Sequence, residues 1–595
     1  MNGLANGFPI GMDPSKADQE DEISGEGAYI ALNGSQKQGI SNWVLKYHGK
    51  EFMAGPFDLD HKFDFGKLFI APLFVVPKPD GSWRPIVHFS YRAHGKMFSI
   101  NDCLCEYMKT VQYVSFKEVV QLVNNAGKGA YLFLIDAEEA YYRVPVRKED
   151  WKFMGIKWAK KYWIFRSLQM GCSSSPKIYT EFADSVEYIC VNKDCDLFFI
   201  NNIQQLRHYI DDFFGAHPTF KGALKMFKTV FKTFEELGIP TRPKKCFYPA
   251  TKRKILGWVY DTVLRVAGVP DDKRKILISM LQKLKRTKKS DRKTMEQLIG
   301  RLQNVSQVIF PGKAFVRRIE AALHLLRFEY NVPFGISKFV VEDVEWWLNI
   351  LSQPHLCCSS FDLLLKHPSD GDFQLWSDAT TTIGGGGYAK NNKGDILFYY
   401  QFDWEQTYLY KTLQVREIDI STRELLLSLV GIILLTPHLT NKCVTIFNDN
   451  PAAAGAIRTK APKLFRMDMQ CLIRTLALQA IENQFYFWGI HYTVKDGHPM
   501  KLADKLSRFD YTNDFQNVPF IDAIPIVNKL LLKLKHYPLN LPSNIDIDDQ
   551  VREAFGLLLD DETRNNNNPN LNRFNPTRND YNILNCKIKD RKCAL

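Results

Sequence analysis

Two adjacent carboxylates, Asp211 and Asp212, sit inside the apolar and aromatic segment Leu206-Arg-His-Tyr-Ile-Asp-Asp-Phe-Phe-Gly215. Like charges among side chains that seek burial are electrostatically expensive, so the segment calls for a cation that offsets them. Tyr209, Ile210, Phe213 and Phe214 suit the arms of a tight hairpin whose turn presents the acids to a divalent metal. A third acid, Asp136, ends the run Tyr131-Leu-Phe-Leu-Ile-Asp136, which reads as a buried strand. Three such carboxylates suit two magnesium ions, one activating an attacking hydroxyl and both stabilising an in-line phosphoryl displacement. That chemistry is nucleotidyl transfer. The competing reading is a solvated acidic turn.

Further segments follow in a fixed order. Phe74-Val-Val-Pro-Lys78-Pro-Asp-Gly-Ser-Trp-Arg84 reads as a basic hairpin, and Asp136-Ala-Glu-Glu-Ala140-Tyr141-Tyr follows the apolar strand. Then come Leu168-Gln-Met170-Gly171-Cys-Ser-Ser-Ser175-Pro176, Tyr209-Ile-Asp211-Asp212, Pro243-Lys244-Lys245 and Ile255-Leu256-Gly257-Trp258. Motif after motif, this series resembles the reverse transcriptase family. The resemblance implies fingers, palm and thumb, with Asp136, Asp211 and Asp212 as metal ligands and Asp212 the least direct of them. It implies that Lys78 and Arg84 meet the triphosphate of a bound deoxynucleotide, as a point charge and a phosphate-matching fork. It also makes Tyr141 a steric gate against a ribose 2′-hydroxyl, and Met170 and Gly171 part of the wall against template and nucleotide. Lys245, or Lys244 beside it, becomes a candidate general acid for pyrophosphate. Leu256, Gly257 and Trp258 become the primer grip. Met170 stands where many retroviral enzymes carry glutamine, and His88 where an acid or amide is usual.

A second acidic set resembles ribonuclease H. The strand-like Phe373-Gln-Leu-Trp-Ser-Asp378 precedes Gly384-Gly-Gly-Gly-Tyr388, which reads as a tight turn into a second strand. Glu424 lies in Ser421-Thr-Arg-Glu424-Leu-Leu-Leu, an N-capped helix start, Asp449 ends Val444-Thr-Ile-Phe-Asn-Asp449, and Asp504 follows Leu502-Ala. Four carboxylates on separate elements are what a two-metal hydrolase needs. The implied substrate is the RNA strand of an RNA–DNA hybrid. Asp496 and His498 are local alternatives to Asp504, the neutral Asn448 and Asn450 are poorer ligands, and Met500 replaces a frequent asparagine.

Between the two sets, Leu277, Met280, Leu281 and Leu284 recur at helical spacing beside Lys283, Lys285, Arg286, Lys288 and Lys289, as in a basic bundle that tracks a duplex. The wording of Leu298-Ile-Gly-Arg-Leu302, Ile309-Phe-Pro-Gly312 and Glu345-Trp346-Trp347-Leu348 resembles DIRS-like retroelements, those with a tyrosine recombinase, with gypsy-type long-terminal-repeat elements second. The expected fold class is α+β and multidomain. Its parts are a disordered tail over 1–40, fingers and palm over 41–260, thumb and helical connection over 261–350, and a ribonuclease H-like domain over 351–510. A helical extension over 511–560 and a disordered Asn-rich tail over 561–595 complete it.

The formal net charge of +13 fits a polyanionic partner. No apolar run is read as a bilayer span and no signal peptide is recognised, so no membrane partner is expected. Scattered cysteines point to a reducing compartment, cytoplasmic or nuclear. The expected cofactor is Mg2+, two ions per site, with Mn2+ as a substitute. The expected partners are an RNA template, a DNA primer, the RNA–DNA hybrid and deoxynucleotides, with a recombinase or capsid-like protein of the same element. No protease, integrase or recombinase motif is recognised. The reading from another class is a non-catalytic nucleic-acid-binding scaffold descended from such an enzyme, whose signature would be lost metal-binding acids.

Overall fold

The computed structural model describes residues 6–23, 32–78, 81–324, 334–407, 418–464, 466–493, 495, 498–510 and 513–535. Contacts divide the chain into two units. The first runs to Pro270 and takes in Cys358–Leu365, and the second is Asp271–Cys357 with the chain from Lys366 onward. The Asn-rich tail and Asp496 lie outside the described residues.

In the first unit, helix α1 (Gly34–Gly49) begins in a capping box. The Asn33 side chain accepts from the Gln36 N–H, and the Gln36 side chain accepts from the Asn33 N–H. This helix buries Ile40, Val44 and Tyr47. The structure differs here from the expected disordered tail: Ile10 and Ile23 are fully buried, and the Ile10 N–H donates to Asp150 at 2.8 Å. Isolated apolar anchors in a polar, Gly/Ser-rich stretch carry no periodicity, so the sequence pattern does not reveal them.

Strands β1 (Leu73–Pro77) and β2 (Trp83–Val87) form the basic hairpin, with Val76 opposite Arg84. Helix α2 (Phe116–Asn125) precedes β3 (Tyr131–Asp136), and helix α3 (Ser175–Asn192) precedes the hairpin of β4 (Leu206–Tyr209) and β5 (Asp212–His217). Helix α4 (Phe220–Glu236) leads to β6 (Phe247–Ala250). The four strands make an antiparallel sheet in the order β6–β3–β5–β4. Helix α4 lays Ala223, Met226, Phe227, Val230 and Phe234 against it, an i, i+3, i+4, i+7 stripe. A second antiparallel sheet joins β7 (Lys252–Ile255), β8 (Trp258–Asp261), β9 (Val266–Gly268) and β10 (Cys358–Ser360). Helix α2 is capped reciprocally by Ser115 and Glu118. Ser115→Ala is therefore expected to lower stability by about 1 kcal/mol, read as a lower urea midpoint at constant slope; an unmoved midpoint would show that the cap contributes nothing.

In the second unit, α5 (Asp271–Thr287) buries Leu277, Leu281 and Leu284 while Lys275, Lys283, Lys285 and Arg286 are exposed, and Lys285 pairs with Glu345 at 2.9 Å. Helices α6 (Arg292–Val305), α7 (Arg317–His324) and α8 (Lys338–Ser352) complete the helical part. Asp343 on α8, fully buried, is held by Arg318 and by Arg474, each at 2.8 Å. The sheet that follows is formed by β11 (Phe373–Ala379), β12 (Gly384–Asn391), β13 (Ile396–Asp403), β14 (Cys443–Asn448) and β15 (Tyr486–His491), in the order β13–β12–β11–β14–β15. Strands β11, β14 and β15 run parallel, and β12 and β13 are antiparallel additions.

Helices α9 (Ile420–Leu435), α10 (Pro451–Thr459), α11 (Met467–Glu482), α12 (His498–Ser507) and α13 (Ile524–Lys535) belong to the same unit, with α13 packed on α9 and α11. Three sequence readings change here. The glycine run is strand, not turn: a Cβ on Gly385 would meet Leu427 of α9 at 2.8 Å, and one on Gly386 would meet Leu506 of α12 at 2.6 Å. The missing side chains let helices close on both faces of β12. The cap of α9 is Asp419, which accepts from the Thr422 N–H, in place of Ser421. Finally, Ile420–His438 is long and apolar enough to cross a membrane. Its residues are buried on nearly every side in the protein core, which is how an all-round apolar helix is satisfied here.

Candidate active sites

In the first unit, Ile210 and Asp211 form the two-residue turn between Tyr209 and Asp212, and Ile210 takes φ +53°. A β-branched residue in the left-handed region is strained, and such strain concentrates where side chains must be aimed. Asp212 lies directly across from Asp136 in the β5–β3 register, and the Ala137 N–H donates to the Asp211 carbonyl at 2.9 Å. Three predicted acids therefore share one end of one sheet. Burial pushes the Asp211 carboxyl up, and Asp136 adds to it; burial and then Asp211 push Asp212 to about 6. Asp136 is fully buried, with Lys245 Nζ at 2.9 Å from Oδ2 and Arg242 at 3.5 Å from Oδ1. Its Oδ1 accepts no hydrogen bond. A buried carboxylate oxygen without a donor, beside two acids that resist ionisation, fits a site for divalent cations.

The other predicted residues of this unit fall as follows. Both Lys244 and Lys245 are exposed, and Lys245 is the one whose Nζ reaches Asp136. Tyr141 rests edge-on against Tyr179 at 5.5 Å, and its hydroxyl is pushed up by burial, with Tyr113 and Asp211 contributing. Gly171 takes φ +104°, and a Cβ there would stand 2.3 Å from the Val87 carbonyl oxygen, so only glycine lets the loop lie this close to β2. Met170 beside it is exposed, whereas Gln169 is buried. Lys78 and the exposed Arg84 stand on the two arms of the β1–β2 hairpin. Leu256 and Gly257, both at positive φ, turn β7 into β8, and Trp258 is buried against Phe116. Of the three residues expected as a primer grip, Leu256 and Gly257 form the turn and Trp258 packs beneath it.

In the second unit, ligand oxygens of Asp378, Glu424 and Asp449 lie within 4.8 Å of one another, the one such group among the described residues. They come from β11, α9 and the end of β14. Glu424 is fixed by the Ala379 N–H at 3.0 Å and Asn448 Nδ2 at 3.1 Å, and Asn448 also donates to Ser428 at 3.2 Å. Ser507 donates to Asp378, and His491 contacts the Asp449 carbonyl at 2.9 Å. Asp504 stands outside the tight triad and pairs with Arg508 at 2.9 Å, yet its charge helps raise both Asp378 and Asp449. Burial, then the neighbouring acids, push Asp378 to about 7 and Glu424 well above the carboxylate range. This mutual repulsion in a buried cluster is relieved by a divalent cation. Nothing is described for the side chain of His498.

Sequence reading missed Arg242, Ser507 and Ser428, and took Asn448 only as a poor ligand. In the structure Asn448 orients Glu424. A polar residue at a strand end, one position before an acid, was the available signal.

Residues 76–260 match the family model described as reverse transcriptase (RNA-dependent DNA polymerase). The Pro-Pol polyprotein of simian foamy virus type 1 is 21% identical over 244 residues, covering 41% of this chain and 18% of that protein. That of feline foamy virus is 24% identical over 175 residues, covering 29% and 13%. The matched segment thus spans less than a fifth of those relatives' length. Among solved structures, a foamy viral protease-reverse transcriptase in complex with RNA/DNA hybrid is 14% identical, covers 80% of this chain and 58% of that chain, and superposes with a TM-score of 0.46. Residues 76–260 thus match the reverse transcriptase family and are similar to that part of foamy-virus polyproteins, while the C-terminal region has a mixed sheet with an acidic triad, as in a ribonuclease H-like fold.

Proposed function

We propose that the chain is an RNA- and DNA-directed DNA polymerase that also cuts the RNA strand of RNA–DNA hybrids. The observation that carries this reading is two separate clusters of buried and half-buried acids in one chain, Asp136, Asp211 and Asp212 in one and Asp378, Glu424 and Asp449 in the other. Magnesium, two ions per site, is the proposed cofactor, with manganese as a substitute; held by these acids it supplies Lewis acidity to the attacking and leaving oxygens. The chain's own residues do the rest. Lys245 and Arg242 hold Asp136 in place, and Lys78, Arg84 and Lys245 neutralise the triphosphate as pyrophosphate leaves. Tyr141 screens the sugar, Met170 and Gly171 bound the nucleotide, and Leu256, Gly257 and Trp258 seat the primer end. In the second site Asn448 and the Ala379 N–H aim Glu424, Ser507 orients Asp378, and Asp504 joins the set from α12.

Fingers and palm over 41–260, thumb and connection over 261–350, the ribonuclease H-like domain over 351–510 and an extension over 511–560 are the proposed parts. An exposed basic face on α5 and a net charge of +13 support duplex binding through phosphates. RNA template, DNA primer, hybrid and deoxynucleotides are the proposed partners, with a recombinase or capsid-like protein of the same element. The described cysteines are all free, which supports a cytoplasmic or nuclear setting. The DIRS-like assignment rests on the wording of residues 298–348, and a recombinase gene beside this one in its element is the test of it.

The central test follows a labelled DNA primer on an RNA template with magnesium and deoxynucleotides. The native chain is expected to lengthen the primer and shorten the RNA. Asp211→Asn/Asp212→Asn is expected to lose only the first activity, and Asp449→Asn only the second. Absence of both from the native chain, in magnesium and in manganese, with hybrid binding intact, would leave the scaffold reading.

A further inference from the structure

The turn that carries Tyr141 is gripped from outside the sheet. Glu139 takes φ +57°, a left-handed conformation costly for a residue with a side chain. Its carboxylate, only 4% exposed, is bound by Lys46 at 2.6 Å and Lys50 at 2.7 Å, with Arg143 at 3.6 Å. Both lysines come from α1. Between them on the same helix, Tyr47 stacks on Tyr142 at 4.1 Å and 17°. Thus the residue two before Tyr141 and the residue after it are both held by α1, while Tyr141 itself rests on Tyr179 of α3. On the strand side, the Glu138 N–H donates to the Pro240 carbonyl at 2.7 Å.

We infer that α1 is the positioning clamp of the sugar-selecting tyrosine, acting through Lys46, Lys50 and Tyr47 on Glu139 and Tyr142. A lone buried carboxylate could not hold a left-handed turn without partners, because its desolvation would favour another conformation. Two lysines on successive turns of one helix supply the opposing charge, and the stacked tyrosines fix the distance between helix and turn. Sugar discrimination depends on where one ring stands relative to C2′, so a shift of a fraction of an ångström at Tyr141 relaxes it without removing any group that touches the metals or the triphosphate. Glu139, Lys46 and Lys50 are positioning residues, not catalytic ones.

This inference rests on the polymerase reading, and its test separates the two. With the full chain on a primer–template, kcat and KM are measured for a deoxynucleotide and the matching ribonucleotide in the native protein, Lys46→Met/Lys50→Met and Lys46→Arg/Lys50→Arg. The methionine pair is expected to lower the deoxy-over-ribo preference by about tenfold, chiefly through better ribonucleotide use, and the arginine pair is expected to restore it. Glu139→Gln, which keeps shape and loses charge, is expected to act like the methionine pair and serves if that pair does not fold. A native chain that never extends a primer overturns the polymerase reading and this inference with it. A native chain that extends and discriminates, with a preference unchanged in folded methionine and glutamine variants, overturns the clamp alone.

Discussion

Asp378→Asn is expected to cut hybrid cleavage by about 10³-fold or more, and at the same time to stabilise the metal-free protein at pH 8. The two effects have one cause. Asp378 is buried, faces the charges of Asp449 and Asp504, and has its carboxyl raised to about 7. Above that pH the metal-free protein holds it ionised against burial and repulsion. Asparagine keeps the shape, and the Ser507 hydroxyl can turn from donor to acceptor to meet the new amide.

The sign follows from proton linkage. The unfolded carboxyl titrates near 3.8 and the folded one near 7, so between these values the folded state retains a proton the unfolded state has released. Its contribution to stability is full below about pH 4 and is lost as pH rises through 7. The difference between variant and native is therefore expected to be absent near pH 4 and to grow to about 2–4 °C in midpoint by pH 8. Magnesium is expected to raise the midpoint of the native protein more at pH 8 than at pH 5, and to do less for the variant. Thermal unfolding at several pH values, with and without magnesium, reads all of this. A variant less stable than native at pH 8 would sink the account of a repulsive cluster awaiting a cation.

Gly386→Val is expected to destabilise the second unit by about 1–3 kcal/mol and to lower hybrid cleavage by about 10²-fold, with primer extension unchanged. Gly386 pairs with Asp378 across β12 and β11, and its missing side chain is where α12 comes closest. A Cβ there would stand 2.6 Å from Leu506 Cβ and 2.9 Å from the Leu506 backbone carbon, so the helix itself has to move. Helix α12 carries Asp504 and Ser507, one a charge neighbour of the triad and the other the hydrogen-bond partner of Asp378. Moving it disorders the site without touching a carboxylate. Gly300→Ala on α6 is the contrasting substitution, because nothing lies within 4 Å of its added Cβ. It is expected to leave both activities intact and to stabilise by up to about 1 kcal/mol. Cleavage retained by Gly386→Val in both units' active chain would show that α12 is not needed in place.

The acids were legible because they border apolar runs and because the order of the segments that carry them resembles two known families. Asp136, Asp211, Asp212, Asp378, Glu424 and Asp449 all fall on elements the apolar pattern predicts, and alternation and helical spacing are local properties. The residues that orient those acids were not legible. Asn448, Ser507, Arg242, Lys46 and Lys50 are ordinary polar residues in sequence, and they acquire meaning only because a sheet register or a helix packing brings them within hydrogen-bond or ion-pair reach of a carboxylate from far along the chain. The glycine run misread as a turn follows the same rule, since what it permits is the approach of two helices. So did the buried anchors Ile10 and Ile23, whose partners lie far along the chain. Sequence by itself determined which carboxylates border apolar strands and helices, because alternation and helical spacing are local; the burial of Glu139 and Asp343 was not legible there. Only the tertiary structure decided which cations, amides and hydroxyls face them, because hydrogen bonds and ion pairs act over a few ångströms and are indifferent to separation along the chain.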